Sequence, residues 1–239
     1  MSTTSKLVDR QEIVEGTMSF RFEKPFGWTF EAGQSMDITL LAPSETDAEG
    51  NTRTFTIASA PYEKSLMVAT RMRDTAFKRV LKAMPVGSAV QMEGPIGALT
   101  LHNDATRTAV FLSGGIGITP FRSIAFSAAK EHLPHRIFLF YSNRRPEDAP
   151  FLAELQTLEK ENPNCTLIAT MTEMEKSHRS WHGETGLIDK EMLARYLKDA
   201  MSPVYYIAGP PAMVKGLHTM LNESGVHEGD IRTEEFSGY

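Results

Sequence analysis

Apolar runs and helically spaced apolar positions alternate along the second half of the chain. Residues 108–113, 136–142, 165–171 and 203–208 are short runs rich in apolar residues, which is typical of parallel strands buried on both faces. Between and after these runs, apolar residues recur every three or four positions over residues 120–130, 151–161, 189–197 and 214–221. The alternation predicts an α/β, Rossmann-like parallel sheet.

The first hundred residues have a different pattern. Strand-like runs cover residues 34–41, 52–59, 66–71 and 89–93, separated by turns that contain proline and glycine. Helically spaced apolar residues at 76–81 predict one inserted helix, and residues 44–51 form a polar loop. This half is expected to be an antiparallel β-barrel. The chain therefore divides into a barrel domain, 1–103, and an α/β domain, 104–239.

Two glycine turns follow predicted strands of the α/β domain. In the first, Gly114, Gly115 and Gly117 precede Thr119 and Pro120. Glycines let the backbone approach a diphosphate, and the start of the following helix favours that anion. In open α/β sheets ligands bind at the carboxyl ends of the strands, so both turns are expected to border one site. Each turn taken alone also fits a tight strand-to-helix connection without a ligand.

The second glycine turn lies near the end of the chain. Its residues are Ala208, Gly209, Pro210, Pro211, Ala212 and Met213.

A cation, an aromatic ring and hydroxyl groups lie together on one predicted barrel strand. Arg53 supplies a planar fork suited to phosphate oxygens, and Phe55 supplies a ring face for stacking. Thr54 and Thr56 complete the strand, and the Thr56 hydroxyl can exchange a hydrogen bond with a redox ring. The alternative is an ordinary strand with an exposed charge and a core aromatic.

The chain resembles the ferredoxin-NADP reductase superfamily in five motifs, which occur in the family's order. They are R-x-[YF]-[ST] at Arg53, Phe55 and Thr56; the later hydroxyl at Thr75; G-P-x-G at Gly94, Pro95 and Gly97; the turn from Gly114 to Pro120; and C-G-P-P-x-M at Ala208 to Met213. The resemblance implies a barrel that binds FAD and an α/β domain that binds NADP(H) or NAD(H). Thr75 also precedes a predicted helix, so it can cap that helix whether or not a phosphate binds.

The resemblance assigns cofactor contacts residue by residue. The expected cofactor-binding residues are Arg53, Thr54, Phe55, Thr56, Arg71, Thr75, Gly114, Gly115, Gly117, Thr119, Pro120, Asn143, Arg144, Ala208, Gly209, Pro210, Pro211, Met213, Phe236 and Tyr239. Two positions depart from the family pattern, since Ala208 replaces a common cysteine and Phe55 replaces a tyrosine. The first departure removes a thiol beside the nicotinamide, and the second removes one hydroxyl hydrogen bond.

The last predicted strand resembles the closing strand of plant-type relatives. There a glutamate, one further residue and an aromatic end the strand over the flavin, and Glu234 and Phe236 occupy that pattern here. Phe236 is expected to gate the nicotinamide, with Tyr239 as the competing ring; a frayed polar tail is the alternative. Thr56, Glu234 and Phe236 are the expected catalytic residues.

The composition of the chain excludes several kinds of cofactor site and partner. The single cysteine, Cys165, excludes a thiolate-bound iron-sulfur cluster and a disulfide within the chain, so the electrons are expected to pass to a separate acceptor. The net charge of -5 argues against nucleic acid. With no apolar stretch of membrane-spanning length and no signal peptide, we expect a cytoplasmic protein without a membrane partner. His178, His182 and Glu184 lack the ordered spacing of a metal site, so no metal is expected.

Two assignments stay open at this stage. Arg144 and Arg145 follow the second strand of the α/β domain and favour NADP, whereas Glu147 and Asp148 could serve NAD. FAD is favoured over FMN by the plant-like ending. The expected activity is electron transfer between NAD(P)H and a carrier such as ferredoxin or flavodoxin. The alternatives are a reductase of small acceptors (free flavin, ferric chelate or quinone) and a redox-sensing subunit with little turnover.

Overall fold

A computed structural model describes residues 2–236. Within them the chain forms two six-stranded sheets, one antiparallel and one parallel. The antiparallel sheet uses residues before 97, and the parallel sheet uses residues after 108. The expected fold class, a β-barrel followed by a Rossmann-like α/β sheet, is confirmed.

The antiparallel sheet has the strand order β4-β3-β6-β1-β2-β5. Its strands are β1 (Ser2–Val14), β2 (Thr17–Glu23), β3 (Ser35–Leu40), β4 (Thr52–Thr56), β5 (Ser65–Arg71) and β6 (Ala89–Ile96). The two end strands of this order, β4 and β5, approach each other, so the sheet curls into a barrel. The inserted helix α1 (Ala76–Ala83) packs Phe77 and Leu81 into the barrel core.

The two strands at the start of the barrel were missed by sequence reasoning. β1 is largely exposed and rich in polar residues, so it has no apolar alternation to detect. In β2, however, Met18, Phe20 and Phe22 alternate with polar residues and are buried. That alternation is the signal that could have revealed it.

The parallel sheet has the strand order β10-β9-β8-β7-β11-β12. Its strands are β7 (Ala109–Gly114), β8 (Ile137–Asn143), β9 (Cys165–Met171), β10 (Glu184–Thr185), β11 (Val204–Gly209) and β12 (Ile231–Glu235). The helices between them are α2 (Ile118–Lys130), α3 (Leu152–Glu161), α4 (Lys190–Tyr196) and α5 (Pro211–Glu223). These strands and helices match the predicted runs to within three residues at each end, and among them only the two-residue β10 was not predicted.

Apolar residues are buried on both faces of the parallel sheet. Consecutive residues of β7 point to opposite faces and therefore join different cores. Phe111 joins the core beneath α2, whereas Val110 and Leu112 join the core beneath α5. Cys165 is buried in β9, and burial raises the pKa of its thiol to about 12, so it is a core residue rather than a reactive thiol. The predicted division at residue 103 falls between the two sheets and stays a prediction.

Candidate functional site

A cleft with a volume of about 330 Å³ lies between the barrel and the parallel sheet. Residues from β4, β5, α1 and the first glycine turn line it, together with Phe236. The lining residues are Glu49, Arg53, Thr54, Phe55, Thr56, Ala69, Thr70, Arg71, Arg73, Thr75, Lys78, Ile116, Thr119 and Phe236. The fold therefore brings together the predicted flavin strand, Arg71, Thr75, Thr119 and Phe236.

Alternation along β4 sends its side chains to opposite faces. Phe55 is buried in the barrel core, with its ring centroid 5.9 Å from that of Phe77, while still lining the cleft. The Arg53 guanidinium lies on the same side, 5.2 Å from the centre of the Phe77 ring. Phe55 thus combines the two expectations, a core aromatic and a ring at the cleft wall.

Arg53 is held by the polar loop that precedes its strand. Its guanidinium donates to the carbonyl of Gly50 at 3.2 Å and to the carboxylate of Glu49 at 2.7 Å, and Asp47 lies 3.6 Å away. The loop therefore orients the Arg53 fork and partly neutralises its charge.

Cations line one wall of the cleft. Arg71, Arg73 and Lys78 join Arg53 there, and Lys78 donates to the carbonyl of Arg71 at 2.7 Å. Burial, together with the charges of Arg73 and Arg53, lowers the pKa of the Lys78 ammonium to about 8. A wall of this kind binds a polyanion favourably, because the anion relieves the repulsion between its cations. Sequence reasoning missed Lys78, although its place three residues after Thr75 puts it in the first turn of α1.

Thr75 has the capping role that the sequence allowed. It precedes α1 in an extended conformation, and its hydroxyl accepts from the Lys78 backbone N–H at 3.4 Å. Asp47 accepts from the Ala76 N–H at 3.0 Å, so two side chains satisfy this helix terminus. A ligand role for Thr75 stays a prediction, supported by its place in the cleft lining.

The two glycine turns pack backbone against backbone. A Cβ on Gly117 would lie 2.1 Å from the Ala208 carbonyl oxygen, and one on Gly114 would lie 2.3 Å from the Met213 sulfur. Gly115 adopts a left-handed conformation, with φ of 53°. The close approach of these turns therefore explains the glycines without any ligand, and it also brings the carboxyl ends of β7 and β11 together.

A second cleft, with a volume of about 680 Å³, opens at those strand ends. Its lining residues are Arg71, Met72, Arg73, Gly114, Gly115, Ser142, Asn143, Arg144, Asp148, Thr172, Leu187, Pro210 and Met213. Arg71 and Arg73 also line the first cleft, so the two clefts adjoin. The buried Asn143 amide nitrogen has no hydrogen-bond partner within the described residues, so it is available to a ligand.

The remaining predicted residues divide into two groups. Arg144 is 69% exposed at the second cleft, 3.7 Å from Glu173, whereas the neighbouring Arg145 is held in a two-pronged ion pair by Asp148. Gly117, Pro120, Ala208, Gly209 and Pro211 line neither cleft. They shape the two turns instead.

Glu234, near the end of the chain, lies behind Thr56, which lines the first cleft. Its carboxylate accepts from the Ser35 hydroxyl at 3.4 Å and from the Thr56 hydroxyl at 3.5 Å. Phe236 continues the pairing of β12, since its N–H donates to the Gly209 carbonyl at 3.0 Å. Thr56 was predicted from one motif and Glu234 and Phe236 from another, and the fold brings the two motifs together. Tyr239 lies outside the described residues.

Burial raises the pKa of the Glu234 carboxyl, against the opposing effect of the Ser35 and Thr56 hydrogen bonds. The folded protein therefore binds this proton more tightly than the unfolded chain does. The contribution of Glu234 to the free energy of unfolding is fully present below the ordinary pKa of glutamate. It is lost as the pH rises through the higher pKa that Glu234 has in the folded protein.

We expect Glu234→Gln to remove that loss, because glutamine stays neutral. The variant should match the wild type in free energy of unfolding at pH 4 and exceed it at pH 7, as measured by urea unfolding at both pH values. A constant difference across this range would contradict the raised pKa.

Comparison with known proteins agrees with this geometry. Residues 111–219 match the family described as oxidoreductase NAD-binding domain. A component of the Na(+)-translocating NADH-quinone reductase of Actinobacillus succinogenes is 28% identical over 201 residues, covering 78% of this chain and 49% of that protein. The corresponding component from Klebsiella pneumoniae is 27% identical over 205 residues, covering 80% and 50%. The chain thus spans about half the length of these relatives.

Solved structures share the whole fold. A ferredoxin NADP+ reductase from Neisseria gonorrhoeae with bound FAD and NADP has a TM-score of 0.80 and 20% identity, covering 98% of both chains. The cytochrome b5 reductase domain of Ulva prolifera nitrate reductase has a TM-score of 0.77 and 21% identity, covering 98% of this chain and 97% of the other. These structures show that the chain has their two-domain fold, and with the match to the NAD-binding domain over residues 111–219 they are consistent with the resemblance to the ferredoxin-NADP reductase superfamily that the five motifs carry.

Proposed function

We propose that this protein is a flavin-dependent oxidoreductase that takes electrons from a reduced nicotinamide nucleotide and passes them to a separate acceptor. The observation that carries the proposal is the pair of adjoining clefts, which share Arg71 and Arg73. One has a cationic wall, and the other offers the unpartnered Asn143 amide. Two ligands bound side by side in this way would react across the junction of the clefts.

The first cleft suits a flavin nucleotide. Arg53, Arg71, Arg73 and Lys78 would hold its phosphates, and Phe55 and Phe236 offer apolar contact to its ring. Four cations favour a diphosphate, hence FAD rather than FMN. Flavin would supply a ring that accepts hydride at N5 and releases electrons singly.

The chain's own residues manage the proton that accompanies those electrons. The Glu234 carboxyl has a raised pKa and lies within 3.5 Å of the Thr56 hydroxyl, so it can keep a proton where an exposed glutamate would lose it. Thr56 lines the cleft and would pass that proton between Glu234 and the ligand. Ser35 offers a second path for this proton, because its hydroxyl is hydrogen-bonded to both Thr56 and Glu234.

NADH is the coenzyme we propose. Of the two arginines from which a preference for NADP was expected, only Arg144 still supports it, because Asp148 engages Arg145. The relatives from Actinobacillus and Klebsiella are named as subunits of an NADH-quinone reductase. That name favours NADH, and the NADP preference drawn from the two arginines stays an untested prediction.

The acceptor is proposed as a separate carrier or a small molecule such as a quinone. The single cysteine rules out a thiolate-bound cluster within this chain, so the electrons must leave it. Within residues 2–236 no helix has the length and apolar character needed to cross a bilayer. Because the named relatives belong to an enzyme that translocates an ion, the expectation of no membrane partner is not carried forward.

The test is reduction of the protein-bound flavin in stopped-flow mixing. The purified protein should show flavin absorbance that bleaches with NADH faster than with NADPH. A protein that takes up neither FAD nor FMN, or a bound flavin that neither coenzyme bleaches, would refute the proposal and leave a binding role. Reoxidation by ferredoxin, ferric chelate and a soluble quinone in parallel would then identify the acceptor class.

A second prediction concerns Phe236, which lines the first cleft. If its ring occupies the place that the nicotinamide takes, Phe236→Ala should lower the dissociation constant of the coenzyme several-fold and speed reoxidation of the reduced flavin by oxygen. Coenzyme titration and oxygen-consumption rates measure both effects. Phe26→Ala is the matched control, because the Phe26 side chain is fully exposed and lines neither cleft. Equal results for the two variants would remove Phe236 from a gating role.

A further inference from the structure

Arg122 is a buried cation outside both clefts. It lies in α2 and is only 3% exposed, yet every arm of its guanidinium is hydrogen-bonded. Nε and Nη2 donate to the Glu154 carboxylate at 2.7 and 3.0 Å. Nη1 donates to the Ala58 carbonyl at 2.7 Å and to the Glu63 carboxylate at 2.8 Å. Burying a charge is costly unless it is satisfied in this way, so the arrangement is tightly specified.

Two aromatic rings also pack against the guanidinium of Arg122. The guanidinium carbon lies 4.6 Å from the centre of the Phe126 ring and 5.4 Å from that of Phe151. Stacking against these rings restricts the guanidinium plane, so its donors point in set directions.

The hydrogen-bond partners of Arg122 belong to different halves of the protein. Glu154 is in α3, on the parallel sheet, whereas Ala58 and Glu63 lie between β4 and β5 of the barrel. The next residue, Ser123, adds a second link, since its hydroxyl donates to the Ser59 carbonyl at 2.8 Å. The start of α2 is therefore fastened to the barrel segment that follows β4.

This fastening is close in sequence to both halves of the site. Ala58 follows Thr56 by two residues, and Arg122 follows Thr119 by three, while Thr56 and Thr119 both line the first cleft. Because these bonds join the two segments, removing them is expected to let Thr56 and Thr119 move relative to each other. An error of about 1 Å between reacting groups can slow a reaction about a hundredfold.

We infer that Arg122 is a positioning residue that sets the distance between the flavin strand and the coenzyme turn. It lines neither cleft, so it would contact neither of the two proposed ligands. The inference rests on the proposed function, because the distance matters only if electrons cross it.

The experiment compares Arg122→Lys with the wild type. Lysine keeps the charge but cannot reach Glu154, Ala58 and Glu63 together. We expect unchanged flavin content and coenzyme dissociation constant, a reduction rate at saturating NADH about tenfold lower, and faster amide hydrogen exchange over residues 57–63. Arg107→Lys is the control, since the Arg107 side chain bonds to Ser202, Pro203 and Asp230, all within the parallel-sheet half, and should leave the reduction rate unchanged.

Two results would overturn the inference. One is a variant that reduces flavin at the wild-type rate, and the other is a rate loss matched by lost flavin or weakened coenzyme binding, as a purely structural role would produce. If Arg122→Lys does not fold, Ser123→Ala tests the bridge instead. We expect it to reduce flavin at a rate two- to fivefold lower than the wild type, and a wild-type rate would contradict the positioning role. A wild type that is not reduced at all would refute the proposed function instead, and the exchange measurement, which needs no coenzyme, would still test the bridge.

Discussion

Gly117→Ala is expected to lower the free energy of unfolding by about 3 kcal/mol and to abolish reduction by the coenzyme. The added methyl group would lie 2.1 Å from the Ala208 carbonyl oxygen and 2.6 Å from the Gly209 nitrogen, all of them backbone atoms that cannot rotate away. The two glycine turns must then separate. Because they end β7 and β11, the second cleft would open with them.

Thermal unfolding and coenzyme titration measure the two effects. Gly216→Ala is the matched control, because a methyl group there meets nothing within 4 Å and Gly216 is inside α5. That variant should be as stable as the wild type or more so by about 0.5–1 kcal/mol, since alanine favours a helix over glycine. A Gly117→Ala protein with wild-type stability and coenzyme affinity would show that the turns can part without cost.

Arg53→Ala should weaken flavin binding about 10- to 100-fold. A charge-assisted hydrogen bond contributes about 1.5–3 kcal/mol, and about 1.4 kcal/mol corresponds to a tenfold change in affinity. Arg53 also orders the loop before β4 through the carbonyls of Glu49, Gly50 and Thr52. Its removal therefore takes away both the proposed phosphate partner and the hydrogen bonds that support the cleft rim.

Flavin content after dialysis and the dissociation constant from fluorescence titration test this expectation. Arg79→Ala is the control, because Arg79 also bonds to the polar loop, through Glu45, but does not line the cleft. Equal weakening in both variants would assign the effect to loop anchoring. Unchanged flavin content in Arg53→Ala would remove Arg53 from the site.

Several features of this protein were predictable because they leave a local trace in the chain. Continuous apolar runs separated by helically spaced ones are required wherever a parallel strand is covered on both faces, so the second half revealed its fold. The glycine turns and the strand from Arg53 to Thr56 left local traces of the same kind, and from them the sequence predicted a flavin and a nicotinamide nucleotide as ligands. β1 left no trace, because a mostly exposed strand needs no apolar alternation.

Other features depend on residues that are distant along the chain. Glu234 lies beside Thr56 only because β12 pairs with β11, and burial there raises the pKa of its carboxyl. Asp148 neutralises Arg145, which removed half of the arginine signal for NADP. Nothing in the sequence around Arg122 indicates that it is buried, because its burial arises from the packing of α2 against the barrel.

The sequence by itself therefore determined the class of fold, since short-range patterns of residue type encode it, and the same kind of pattern predicted the class of ligand. Only the tertiary structure decided which charges are free, which are paired, and how the two clefts are held together, because burial and partner choice arise when distant segments pack.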